Sequence, residues 1–245
     1  MNPWSVEPLL LTAARLSTFS AGNILTGASS FFFQRDERLF LVTSRHVLAD
    51  EPSGHFPDSI EIELHIDSDD LTKSTGFSIP LYRKDERRWR QGGDASGDID
   101  VAAIEIERSA LPESAIYRAF TPEHLPGSDE NIETGALAFV VGFPLGFHDN
   151  VHHMPVVRQG AIASSYGLRF QGQGFFLTDA RTHRGASGSP VVTRPTGPDG
   201  KALDPPWILI GVHSTRFDVT RDLKRDEALG LNCAWYADIL MTLTE

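Results

Sequence analysis

The chain is nearly free of cysteine: Cys233 is the only one in 245 residues. No intrachain disulfide can form, and a Cys-rich zinc site is excluded. Positive charge is also scarce, with 22 Lys and Arg against 33 Asp and Glu and a formal net charge of −11. A surface that acidic repels phosphate backbones and anionic headgroups, so neither a nucleic-acid partner nor a membrane surface is expected. Long apolar runs are missing too. The longest, residues 135–147, contains glycines and Pro144 and is too short to span a bilayer. The N-terminal string MNPWSVEPLLLTAARL has no positive residue ahead of its short apolar run, so no secretory leader is expected. These absences leave a folded protein of a reducing, cytoplasmic setting.

What is present is an ordinary globular balance, 40% hydrophobic and 22% charged, with enough length for a sizeable core. Short runs rich in β-branched and aromatic residues lie at 30–34, 39–43, 60–66, 101–106, 136–141, 156–162, 174–177, 190–192 and 208–212. Ile60, Ile62, Leu64 and Ile66 alternate with Glu61, Glu63 and His65, the period of a half-buried strand. Residues 9–16 and about 234–243 have a helical pattern; in the latter Trp235, Ile239 and Leu240 would share a face. Residues 67–76, 85–97 and 193–206 are polar, charged, or rich in Gly and Pro, and are expected to be loops. Residues 109–134 look like a connection. The expectation is an all-β protein of two halves, 1–120 and 121–245.

The string Gly185-Ala186-Ser187-Gly188-Ser189-Pro190 sets a serine between glycines ahead of an apolar run. Such a turn exposes a hydroxyl and lets backbone N–H groups converge beside it; it is equally an ordinary Gly/Ser turn. A nucleophilic serine needs a base. Of nine histidines, His46 follows the run 39–43 directly and could be aimed by it, or be a structural histidine. The imidazole in turn needs a carboxylate to fix its tautomer. Asp100 stands immediately before the apolar run 101–106, where an acid is costly without a partner; Asp98 is its competitor, in a glycine-rich and more solvated string. The six residues from His148 to His153 hold three histidines and Asp149, a metal-like string that reads more simply as a solvated loop. Residues 83–90 combine basic side chains with Trp89 and read as an exposed mixed-charge segment. Cys233 reads as a small core residue.

The order His46, Asp100, Ser187, set in Thr-x-x-His-Val, Asp-Val-Ala-x-Ile and Gly-x-Ser-Gly-Ser-Pro, resembles the trypsin-like (chymotrypsin-fold) serine peptidases, in particular the bacterial branch without disulfides. The strings 25–31, 141–146, 158–164 and 210–214 resemble further strands and turns of that family, so the likeness covers nearly the whole chain. It implies two six-stranded antiparallel β-barrels with a C-terminal helix, the first barrel carrying His46 and Asp100 and the second Ser187. It implies a serine endopeptidase working through an acyl-enzyme, with Ser187 as nucleophile, His46 as base and Asp100 orienting it. The N–H groups of Gly185 and Ser187 would form the oxyanion hole, and no metal or cofactor is called for. Arg181, Thr182, His213, Ser214, Thr215 and Arg216 would line the substrate site. Thr182 and His213 match positions that bind an acidic side chain in the glutamyl endopeptidases of the family. Ala186 departs from animal members, which carry an aspartate there for zymogen activation, so that switch is not expected. The partner implied is a protein or peptide substrate, with any regulator a separate chain. The alternative is a catalytically silent member of the same fold acting as a peptide-binding scaffold.

Overall fold

The computed structural model describes residues 6–127, 130–195, 203–214 and 230–245. It is mostly β. Seven antiparallel strands form the first sheet: β1 (Ala13–Ser20), β2 (Asn23–Arg35), β3 (Arg38–Thr43), β4 (Ser59–His65), β5 (Ser74–Pro80), β8 (Trp89–Asp94) and β9 (Gly97–Ile106). Their order is β5-β4-β1-β2-β3-β9-β8, and a small ribbon of β6 (Tyr82–Arg83) and β7 (Glu86–Arg87) interrupts the run from β5 to β8. Six strands form the second sheet: β10 (Leu137–Gly142), β11 (Val156–Ala161), β12 (Phe175–Thr178), β13 (Pro190–Thr193), β14 (Ile208–Ser214) and β15 (Asn232–Tyr236). Their order is β11-β10-β13-β14-β15-β12, and an isolated bridge between Ile162 and Thr178 links its two outer strands.

Strand alternation distributes the side chains among three clusters. Phe32, Leu39, Leu41, Ala102 and Ile104 face the interior of the first sheet, whereas their neighbours Phe31, Phe33, Phe40, Val42, Val101 and Ala103 face the other way. On the second sheet Val191, Ile208 and Ile210 fill its own interior, and Val192, Leu209 and Val212 join the outward set of the first. A shared core therefore lies between the sheets. Strands covered on both faces read as unbroken apolar runs, because each face has something to bury.

Several expectations need correcting. One sheet has seven strands rather than six. Residues 9–16 are a 3-10 turn, Pro8–Thr12, followed by β1; the apolar residues there satisfy strand alternation once β2 pairs alongside. The run 85–97 is strand as well, in β7 and β8, and Trp89 is buried rather than displayed. The terminal helix is shorter than read: α1 (Arg45–Leu48) lies early in the chain, and α2 spans only Ile239–Leu243. Ala234, Trp235 and Tyr236 belong to β15, held between β12 and β14, so Trp235 shares no helix face with Ile239. Cys233, fully buried in β15, is the small core residue expected. Leu240 and Leu243 of α2 enter the shared core, and Arg35 donates to the Met241 carbonyl, which brings the chain end back onto the first sheet.

Candidate active site

The two sheets meet where β3 ends. Thr43 pairs with Ala102, so Asp100, two residues earlier on β9, lies beside the point at which β3 gives way to α1. The His46 backbone N–H donates to Asp100 Oδ1 at 2.9 Å, and its Nδ1 lies 2.7 Å from Oδ2. The Ser214 hydroxyl, at the end of β14, donates to the same Oδ2 at 2.7 Å. His46 Nε2 is 3.1 Å from Ser187 Oγ. A continuous chain of four side chains thus runs from the second sheet through the first and back. Burial opposes charge on Asp100, but the neighbouring His46 ring and the bonds from His46 and Ser214 outweigh it and hold the carboxyl below its usual range. Asp98 is exposed and takes no part.

The serine turn is fastened to the first sheet by its backbone. Ser29 N–H donates to the Ser187 carbonyl at 3.0 Å, while Thr43 Oγ1 donates to the Ser29 carbonyl at 2.8 Å. Gly188, at φ +85°, sits so close that a Cβ would lie 2.2 Å from the Ser29 oxygen, which only glycine avoids. Gly185, at φ +88°, approaches Phe143 and Leu145 in the same way. The Arg184 carbonyl accepts the Leu145 N–H at 2.5 Å, which fixes the peptide plane carrying the Gly185 N–H. The Gly185 carbonyl accepts a hydrogen bond of 2.7 Å from Ser29 Oγ, and Ser29 Oγ accepts the Phe143 N–H at 2.9 Å. Ser29 is fully buried. Nothing local in the sequence marks this hydroxyl: its string resembles an early strand of the family, and only the fold carries it across to the second sheet. Ala186 N–H closes a turn onto the His183 carbonyl at 3.0 Å.

The substrate-site residues fall into separate environments. Arg181 is exposed, and Asp179, its potential partner, instead accepts the Ala161 N–H. Thr182 is half-buried and donates to Asn232 Oδ1 at 2.7 Å. His213 is completely buried; neither ring nitrogen has a hydrogen-bond partner among the described residues, and burial, with the nearby His46, pushes its pKa down to about 3. Its backbone bonds in both directions to the serine turn, accepting from Gly188 at 2.9 Å and donating to Ser189 at 2.8 Å. Ser214 is held on Asp100. Thr215 and Arg216 lie outside the described residues. The histidine string also separates. His152 pairs with Asp149 at the surface, at 2.8 Å, whereas His148 and His153 turn towards Glu63.

Comparison with known proteins points the same way. A family model described as the trypsin-like peptidase domain matches residues 28–197. No curated protein matches the chain. Among solved structures the chain is similar to the serine endoprotease from Yersinia pestis, at 15% identity and a TM-score of 0.54, over 96% of this chain and 62% of that one. The chain therefore spans less than two thirds of that protein's length, and at this identity the likeness concerns the fold.

Proposed function

The chain belongs to the trypsin-like peptidase domain family, and from that membership we propose that it is a serine endopeptidase whose nucleophile is Ser187. The observation that carries the reading is the chain Ser214–Asp100–His46–Ser187, with links of 2.7, 2.7 and 3.1 Å. His46 Nε2 takes the proton as Ser187 Oγ attacks the scissile carbonyl, and returns it to the leaving amine; water then hydrolyses the acyl-enzyme by the same route in reverse. Asp100 keeps Nδ1 protonated and offsets the charge of the imidazolium. The N–H groups of Gly185 and Ser187 stabilise the oxyanion, each such donor contributing about 3 kcal/mol. The end of β14 at Ser214, past the last residue that pairs with β13, receives the substrate backbone as an added strand.

Within that function we favour an acidic side chain before the scissile bond. His213 offers a buried ring N–H with no partner among the described residues, and a substrate carboxylate can accept from it. Thr182 Oγ1, itself committed as a donor to Asn232, retains acceptor capacity only, so His213 would be the discriminating donor. The substrate class proposed is protein or peptide in a reducing, cytoplasmic setting, with nucleic acid and membrane surfaces disfavoured by the net charge of −11.

A fluorophosphonate probe tests the activity. Labelling of the wild-type chain that vanishes in Ser187→Ala, together with peptide hydrolysis lost in the same variant, is the expected result. Absence of labelling in the folded wild type would identify the silent scaffold instead. A peptide-library profile tests the preference: cleavage mainly after aliphatic residues, unchanged by His213→Ala, would overturn it.

A further inference from the structure

We infer that Glu63, His148 and His153 form a zinc site that fastens the loop preceding β11 to the first sheet. One ligand atom from each of the three side chains lies within 4.8 Å of the others. The set is drawn from both parts of the fold: Glu63 projects from β4, His153 lies in the turn closed by the Asp149–Met154 bridge, and His148 immediately precedes that turn. All three are partly buried, so solvent does not compete freely for them.

Each side chain is prepared for a metal by what surrounds it. His148 Nδ1 lies 2.6 Å from the Gly146 carbonyl and donates to it, leaving Nε2 with its lone pair. Ligating histidines characteristically use their other nitrogen in this way, which fixes the tautomer and the ring. His153 Nδ1 is buried 2.8 Å from Glu63 Oε1, yet the ring is not oriented to form a hydrogen bond with it. A ring nitrogen and a carboxylate oxygen this close, yet not aligned to bond one another, are placed to share a cation beside them. Arg15 holds Glu63 Oε2 at 2.7 Å and Ser74 donates to Oε1 at 2.8 Å.

Two imidazoles and one carboxylate are a zinc donor set, with the fourth position open to water. Bond lengths of about 2.0–2.2 Å in a tetrahedron separate ligand atoms by roughly 3.3 Å, so the three side chains need close by no more than roughly 1.5 Å. The ion would sit outside the proposed chemistry but near its scaffold. The His148 ring packs edge-on to Phe143 at 6.0 Å, and the Phe143 carbonyl lies against Gly185.

Calorimetric titration of the chelator-stripped chain with zinc chloride tests the site. One equivalent of zinc should bind, and the melting temperature should rise with zinc. His148→Ala and His153→Ala should each weaken binding by about tenfold or more, while His152→Ala, outside the set, should bind as the wild type does. His148 and His153 stand on a partly exposed turn; should His153→Ala fail to fold, the His148→Ala and His152→Ala pair still decides. No binding to the wild type, undiminished binding in the folded His148→Ala chain, or loss of binding through His152→Ala would each overturn the assignment.

Discussion

Replacing Ser29 by alanine separates a residue that aims the oxyanion loop from one that merely fills space. The hydroxyl makes two buried bonds, donating to the Gly185 carbonyl at 2.7 Å and accepting the Phe143 N–H at 2.9 Å. Its removal leaves both backbone groups unpaired, at about 1–3 kcal/mol each, so a loss of roughly 2 kcal/mol or more is expected. For a chain of this size that lowers Tm by about 4–8 °C. The rate should suffer separately. Losing an oxyanion donor outright costs about 10²–10³ in kcat. Ser29 acts one peptide away from the Gly185 N–H, and Leu145 still holds the Arg184 carbonyl, so a fall of about tenfold in kcat with KM little changed is expected. Peptide hydrolysis well below the variant's melting point, alongside a thermal scan, measures both. A lowered Tm with kcat intact would make Ser29 purely structural, and an unmoved Tm would mean that the two bonds contribute nothing.

Asp100→Asn should lower kcat by about 10⁴ through the wrong imidazole tautomer, whereas Asp98→Asn should leave peptide hydrolysis unchanged; the reverse outcome would reassign the acid. His213 shapes the acid limb of stability. Unfolded it binds a proton below about 6.5, but in the fold it stays neutral down to about 3, so the unfolded state binds more protons and stability falls as pH drops through that window. The slope from this one group is about 1.4 kcal/mol per pH unit. Urea unfolding between pH 6.5 and 4.5 should show it, and His213→Leu should flatten it; an equal slope in both chains would refute the assignment. Asp100, with a pKa held down, contributes only at lower pH still.

The serine, histidine and aspartate were legible because each is flanked by residues whose type the local backbone demands. Gly188 has no room for a side chain, and Thr43 and Asp100 bracket paired strands whose apolar runs are plain in the sequence. The nine runs all overlap strands, and those of β3, β9, β12, β13 and β14 are nearly unbroken because a strand buried on both faces leaves no gap in its pattern. Segments whose fate depends on distant partners were not legible. The residues of β15 carry a helical spacing, but pairing with β12 and β14 on both sides decides their conformation. The charged β8 is ordered by β9, not by its own composition. Glu63 fitted the exposed half of an alternating strand, and only the folded chain brings it to His148 and His153.

The shared core has a consequence for how the molecule fails. His46 and Asp100 are carried by one sheet and Ser187 by the other, so the 3.1 Å between His46 Nε2 and Ser187 Oγ spans a joint rather than a single rigid element. Phe31, Phe33, Val42, Val192 and Val212 act as the shim that sets that gap. Shaving the shim, or warming it until it loosens, lets the halves drift by fractions of an ångström while each keeps its own hydrogen-bonded ladders. Turnover is then the more sensitive gauge of the joint, fading at temperatures where spectroscopy still records an intact β protein.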